Sequence, residues 1–66
     1  MRTGLKKTRQ SFTIKQEQVA EHLGMEVTSY QRIEAGIRGT SEDNWIKLFE
    51  LFDKKTPLQE LMKNTP

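Results

Sequence analysis

The sequence contains no cysteine and a single histidine, His22. The first absence excludes a disulfide framework and a thiolate metal site, and the second leaves His22 without an imidazole partner, so we expect an exposed histidine, no metal and no other cofactor. No apolar run approaches the length of a membrane span, and the N-terminus lacks the apolar core of a signal peptide. We therefore expect a cytoplasmic protein with no membrane partner and no small-molecule ligand.

The chain is short, because 66 residues are close to the size at which one hydrophobic core is only marginally sufficient. We expect a single domain over residues 1–66, with a loose N-terminus at 1–4 and a tail at 64–66. A catalytic cleft with its supporting residues is hard to fit into this length, and no nucleophile, base and orienting group can be assembled from the side chains present. The sequence therefore argues against an enzyme.

Charge is small in total but uneven along the chain. The formal net charge is +2, and the residues that precede the first acidic residue, Glu17, include five basic ones: Arg2, Lys6, Lys7, Arg9 and Lys15. Carboxylates gather instead in the later part of the chain. Two interpretations stay open, a solvated face with a frayed terminus and a surface that faces phosphates.

The most informative stretch, from Gln16 to Gly36, contains two short helical patterns on either side of Gly24. The first places four residues on one face: Gln16, Val19, Ala20 and Leu23. Gly24 then supplies the left-handed residue that often ends a helix. The second pattern buries Tyr30 and Ile33 and turns four other side chains the opposite way: Val27, Thr28, Gln31 and Arg32. The stretch predicts a helix-turn-helix.

Further helices are predicted on both sides of this stretch. A first helix covers about residues 5–11. The second helix has two possible starts: one has Thr13 as N-cap in a capping box with Gln16, and the other begins at Gln16 and leaves Lys15 at the cap.

The last third of the chain predicts two more helices. Thr40 or Ser41 caps the fourth, whose apolar stripe predicts the anchor of the core: Trp45, Leu48, Phe49 and Phe52. The fifth is announced by Thr56 as N-cap, Pro57 at the first helical position and Gln59 closing the box. No strand pattern is present, so the expected fold is all-α with five helices.

Several residues keep the order and spacing of a known family: Arg9, Gln16, Ala20, Gly24, Ile33, Glu34 and Gly36. With the short loop and apolar helix that follow, the chain from residue 5 to about 62 resembles the phage repressor and Cro type of helix-turn-helix domain, also called the XRE family. The resemblance implies a compact five-helix, lambda-repressor-like domain. It also implies a regulator of transcription, most often a repressor, that binds double-stranded DNA.

The resemblance assigns roles to individual residues. The helix at about 27–33 would lie in the major groove, with base contacts from four residues: Val27, Thr28, Gln31 and Arg32. Phosphate contacts are implied for a larger set: Gln16, Lys6, Lys7, Lys15, Arg38, Thr40 and Ser41. Arg9 and Glu34 match a buried ion pair of the family, whose role is structural.

One departure from the family pattern lies at the start of the recognition helix. Glu26 occupies the usual Ser or Thr cap, where a carboxylate would repel a phosphate, accept a hydrogen bond from cytosine N4, or face its own helix amides. Thr28 and Gln31 form an alternative capping box that would shorten the helix by two residues.

Two functional classes follow from these observations. The first is a sequence-specific DNA-binding regulator that acts as a homodimer on a near-palindromic operator, with its two recognition helices about 34 Å apart. The candidate dimer patch is Ile46, Leu51, Leu58 and Met62, for which a partial core role is the competing interpretation. The second class is a protein-interaction module, accessory or antitoxin-like, that uses the same exposed helix.

Overall fold

The computed structural model describes residues 1–65 of the chain, and its secondary structure consists of five α-helices. They are α1 (Thr3–Ser11), α2 (Gln16–Leu23), α3 (Val27–Ala35), α4 (Glu42–Leu51) and α5 (Leu58–Met62). These residues contain no β-strand, so the predicted all-α fold with five helices is confirmed. None of the five helices is long and apolar enough to cross a membrane.

The hydrophobic core receives side chains from every helix. Its buried apolar members are Leu5, Val19, Ala20, Leu23, Tyr30, Ile33, Trp45, Leu48, Phe52 and Leu61. They include most of the periodic residues of α2, α3 and α4, as their helical spacing predicted. Phe49 differs, because it lies half-buried at the edge of the core. Full burial of such side chains stabilises the fold by about 1.5–3 kcal/mol each, which makes this cluster the main stabilising feature of a small domain.

The two helices of the central motif both end at a left-handed glycine. Gly24 has φ 70° after α2, and Gly36 has φ 82° after α3. A residue with a Cβ is strained at such φ values, whereas glycine reaches them freely. The sharp turn at Gly24 allows α3 to pack across α2, with which it makes its most extensive contact.

The second helix begins at the later of its two predicted positions. Lys15 is the N-cap, and its backbone N–H donates to Oε1 of Gln18 at 2.8 Å. The start capped by Thr13 is wrong, because Thr13 has φ 58° and ends the turn that follows α1. A left-handed residue at that point reverses the chain before α2 can begin.

The N-terminus is not loose, so the expectation for residues 1–4 is wrong. Helix α1 already begins at Thr3. The backbone N–H of Arg2 donates to the carbonyl of Glu34 at 2.8 Å, which fixes the entry to α1 against the end of α3. Sequence periodicity could not reveal this contact, because it depends on a backbone carbonyl far along the chain.

The expected tail at 64–66 also makes contacts where the structure describes it. Asn64 donates through Nδ2 to the carbonyl of Gly36 at 3.0 Å, and the backbone N–H of Thr65 donates to the carbonyl of Met1 at 3.0 Å. Pro66 lies outside the described residues. The two ends of the described chain therefore pack together, near the end of α3.

Helix α5 starts one residue later than predicted. Pro57 is its N-cap and Leu58 its first residue, so the assignment of Thr56 as cap is wrong. The hydroxyl of Thr56 instead shares a hydrogen bond of 2.8 Å with the hydroxyl of Thr8 on α1. This contact ties α5 to the helix on which it packs.

Candidate nucleic-acid interface

Helix α3 has one face in the core and the opposite face in solvent. Tyr30 and Ile33 are fully buried, whereas Thr28, Gln31 and Arg32 are exposed. Successive helical residues are about 100° apart around the helix axis. Viewed along that axis, Gln31 and Arg32 are therefore about 100° apart, and Thr28 lies between them. Three of the four predicted base-contact side chains therefore share one outward surface, which we call the α3 face.

Val27 is the exception among the predicted base-contact residues. It is the first residue of α3, but it is half-buried and packs against the core. Only part of its side chain is open to a ligand. The helix also continues to Ala35 rather than ending near residue 33, and it begins at Val27, so the shorter helix capped by Thr28 is wrong.

The ion pair expected between Arg9 and Glu34 is present beneath α3. Nε of Arg9 donates to Oε2 of Glu34 at 2.9 Å, and Nη2 donates to Oε1 at 3.0 Å. A third donor of the guanidinium, Nη1, contacts the carbonyl of Ile14 at 2.9 Å. This fork joins α1, the turn before α2 and the last part of α3, so it fixes the orientation of α3 relative to the rest of the domain.

The electrostatics of this pair keep both groups charged. Burial by itself would raise the pKa of Glu34, but the hydrogen bonds and positive charge of Arg9, together with smaller contributions from Tyr30 and Gln16, outweigh it and lower the pKa below its ordinary value. The hydrogen bond to Glu34 raises the pKa of Arg9. Burial also raises the pKa of the neighbouring Tyr30, whose hydroxyl has no hydrogen-bond partner among residues 1–65.

A second network, which the sequence did not reveal, connects the ion pair to the α3 face. Nε2 of Gln16, at the start of α2, donates to Oε1 of Glu34 at 3.3 Å. Nε2 of Gln31 then donates to Oε1 of Gln16 at 3.2 Å. Gln16 is half-buried and Gln31 is exposed, so the series Arg9, Glu34, Gln16, Gln31 leads from the interior to the surface. We call this series the glutamine relay.

The basic residues expected to hold phosphates occupy different places. Lys15, at the N-cap of α2, and Arg38, after α3, are exposed. Lys6 is half-buried and lies within about 60° of Arg9 around α1, on the side that meets α3. Lys7 lines a depression between α1 and α5, about 100° from Lys6 around α1.

Thr40 and Ser41 are both occupied by contacts at the start of α4. The hydroxyl of Ser41 accepts the backbone N–H of Asn44 at 3.2 Å, which makes Ser41 the N-cap. The hydroxyl of Thr40 accepts Nδ2 of Asn44 at 2.8 Å. Glu42 and Asp43 follow in the first turn and add negative charge. Both hydroxyls thus accept a hydrogen bond within the domain, and each keeps its own O–H, which together with the backbone amides of this turn can donate to a phosphate.

Glu26 lies at the N-cap of α3 but does not cap it. Its side chain is exposed and accepts no hydrogen bond from the helix amides. The carboxylate is therefore exposed at the N-terminus of α3, two residues before Thr28.

The candidate dimer patch is divided between two surfaces. Leu58 and Met62 line an apolar depression with Trp45, and Ile46 lies on the same side of α4 as this depression. Leu51 lies about 140° from Ile46 around α4, in a separate depression with His22. Ile46 and Met62 are 41% and 43% exposed, respectively, which leaves a usable apolar surface without Leu51.

One comparison with known proteins identifies the family. A family model described as helix-turn-helix matches residues 5–59, which is most of the chain. Neither a curated protein nor a solved structure matches the chain significantly. The family match covers the α2 and α3 motif together with the helices that support it. The chain therefore belongs to the Cro/C1-type, or XRE, helix-turn-helix family of DNA-binding transcription regulators.

Proposed function

We propose that the protein is a sequence-specific transcriptional repressor that inserts α3 into the major groove of double-stranded DNA. The observation that carries this proposal is the α3 face, where Thr28, Gln31 and Arg32 are exposed while Tyr30 and Ile33 hold the helix from behind. A helix presented in this way fits the major groove, and its side chains reach base edges. Repression would follow because the bound protein covers the DNA that polymerase needs.

The proposed base contacts follow from the chemistry of the side chains. Arg32 would bind O6 and N7 of a guanine with two hydrogen bonds, and Thr28 would contact a thymine methyl or form one hydrogen bond. Val27 contributes at most an apolar contact through the part that is exposed.

Phosphate contacts are proposed for three cationic side chains and for the start of α2. Lys15, Arg38 and Lys6 supply charge, and Gln16 keeps one amide hydrogen for a phosphate oxygen beyond its bond to Glu34. The backbone amides at Thr40 and Ser41 would bind a second phosphate. Lys7 is the weakest member of this set because of its position beside α5.

The proposed active form is a homodimer in the cytoplasm. A single α3 face reads few base pairs, whereas two faces about 34 Å apart would read both halves of a near-palindromic operator. Ile46, Leu58 and Met62 form the apolar surface that we propose for the dimer contact.

Selection of bound fragments from random duplexes, followed by titration of two variants, tests the proposal. Arg32→Ala should weaken binding to the selected site by roughly 1–3 kcal/mol and relax the preference at one base pair. Lys15→Ala should weaken all duplexes alike and reduce the salt dependence. Equal losses on selected and random DNA for Arg32→Ala would remove its assignment as a base reader.

Glu26 favours a second candidate function, a protein-interaction module that uses the same face. Its exposed carboxylate at the N-terminus of α3 would repel a phosphate but suits a basic partner. Salt distinguishes the two functions, because DNA affinity falls steeply with rising salt in proportion to the phosphates neutralised. A flat salt dependence, or no affinity for any duplex, would favour the protein partner.

A further inference from the structure

The glutamine relay fixes which end of each amide points outward. Glu34 is held as a carboxylate by Arg9, and a carboxylate can only accept hydrogen bonds. Gln16 must therefore turn its NH₂ group toward Glu34, and its carbonyl oxygen is left to face Gln31. That oxygen can only accept, so Gln31 must turn its own NH₂ group toward Gln16.

The last member of the relay has its remaining polar atoms on the α3 face. Oε1 of Gln31 makes no hydrogen bond within residues 1–65, and one hydrogen of its NH₂ group is not needed for the bond to Gln16. A free acceptor beside a free donor matches adenine, which presents the N6 amino group next to N7 in the major groove. Guanine presents acceptors at both positions, and thymine presents O4 and a methyl group.

We infer that Gln31 is a specificity-determining residue that selects adenine, and that Gln16 is the positioning residue that prevents its amide from flipping. This inference rests on the proposed function, since it names the base that one position of the α3 face would read. An unrestrained glutamine can turn either end toward a base, so its preference between an amino and a keto group is weak. The buried Arg9 and Glu34 pair would thus set a preference at the surface without touching DNA.

The alternative role for the Gln16 and Gln31 contact is purely structural. In that case the hydrogen bond only joins α2 to α3, and its loss would weaken binding to every sequence equally. The relay makes a different prediction, because loss of Gln16 would change the preference at one base pair and leave the others intact.

The test begins with the duplex that the wild-type protein selects from a random pool. The wild type and Gln31→Ala are then assayed on variants of that duplex in which each position carries each of the four base pairs in turn. The position at which the wild type has a preference and Gln31→Ala has none is the one that Gln31 reads. We expect the pair at that position to contain adenine, favoured over guanine by roughly tenfold in the wild type. Selection of another base at that position, or no change for Gln31→Ala, would overturn the inference while leaving the proposed function intact.

Gln16→Met then tests the relay, because methionine keeps the length of the side chain and removes both amide groups. We expect the adenine preference at the Gln31 position to fall to within about twofold of guanine, while preferences at other positions persist. Gln59→Met, the same change at an exposed residue of α5, is the matched control and should alter neither. An unchanged adenine preference in Gln16→Met would overturn the positioning role.

A measurement on the free protein separates failure of the relay from failure of DNA binding. The side-chain NH₂ resonances of Gln31 should shift in Gln16→Met and stay in place in Gln59→Met. Unshifted resonances would show that the contact is absent and would overturn the inference. If no duplex is preferred by the wild type, the proposed function fails, and the base assignment fails with it.

Discussion

Arg2 lies over the ring of Trp45, with its guanidinium carbon 5.2 Å from the ring centroid. The same guanidinium donates to the carbonyls of Ile33 at 2.6 Å, Arg38 at 2.8 Å and Met62 at 3.1 Å. These carbonyls belong to the last part of α3, the loop after it and the end of α5, where the helix dipoles favour a cation. Arg2 therefore connects α3, α4 and α5, and it is engaged within the protein rather than free for a phosphate.

We predict that Arg2→Ala lowers the free energy of unfolding by about 2 kcal/mol, because three carbonyls lose a charged donor and Trp45 loses its cation. Arg2→Lys keeps the charge but not the fork of donors, so it should recover only part of the loss. Urea denaturation of both variants measures the effect. If Arg2→Lys were as stable as the wild type, charge alone would account for the contribution.

The position of Arg2 shows what the sequence could and could not predict. The spacing of apolar residues predicted the buried faces of α2, α3 and α4, because burial repeats with the helical period. It could not predict the role of Arg2, whose partners are backbone carbonyls distant in sequence. For the same reason the sequence did not predict the bond between Gln16 and Gln31, although both residues are among the predicted DNA contacts.

Removing one member of the Arg9 and Glu34 pair should be far more damaging than replacing both. Glu34→Ala leaves the buried guanidinium without its partner, and we predict a loss of roughly 3–5 kcal/mol, enough to unfold much of so small a domain. The double variant Arg9→Met, Glu34→Leu should retain most of the stability, since two apolar side chains of similar size need no partner. Thermal melting followed by circular dichroism compares the three proteins. A fully stable Glu34→Ala would contradict a structural role for the pair.

The same carboxylate should make stability depend on pH. The pKa of Glu34 is lower in the folded protein than its ordinary value, so the unfolded chain takes up the proton first as pH falls. Its contribution is therefore complete above the ordinary glutamate pKa of about 4.3 and is lost as pH falls through the lower pKa of the folded state. We predict that, as pH falls from about 5 to about 2, the wild type loses stability relative to the double variant, which lacks this carboxylate. Urea titrations across this range measure the shift, and a constant difference would contradict it.

Glu26→Ser should improve both stability and DNA binding. Serine at the N-cap accepts a hydrogen bond from a backbone N–H of the first turn, which the carboxylate of Glu26 does not do, and we predict a gain of about 0.5–1 kcal/mol. Removal of the negative charge at the N-terminus of α3 should also raise affinity for all duplexes at low salt. Glu21→Ser, at an exposed position within α2, is the control and should bring no gain in stability. Weaker DNA binding by Glu26→Ser would indicate that the carboxylate contacts a base.

In the candidate site, as in the core, the helical period predicts which residues share a face but does not predict how the residues at the edge of that face pack. Thr28, Gln31 and Arg32 were predicted to share one face, and their exposure agrees with that geometry. Val27 and Leu51 were misplaced because residues at the edge of a helical stripe can turn toward the core or toward solvent, and the neighbouring helix decides which. Periodicity gives no information on that neighbour.

Thr13 offers a direct test of backbone strain at the turn between α1 and α2. Its φ of 58° is unfavourable for a β-branched residue, and its side chain is exposed, so a substitution there removes no burial. Thr13→Gly keeps the backbone hydrogen bond of 3.0 Å to the carbonyl of Gln10 and relieves the strain. The stabilisation gained in this way exceeds the destabilisation caused by the greater conformational entropy of the unfolded chain. We predict a gain of about 1 kcal/mol in the free energy of unfolding, measured in urea.

Gln10→Gly is the matched control for Thr13→Gly, because it makes a glycine three residues earlier, at an exposed position inside α1. There the backbone is helical and unstrained, so glycine only adds entropy to the unfolded chain, and stability should fall by about 1 kcal/mol. The two substitutions thus have opposite expected signs although both introduce the same residue. A loss of stability in both variants would show that the left-handed conformation of Thr13 carries little strain. The stability change of Thr13→Gly would then come only from the added entropy of the unfolded chain.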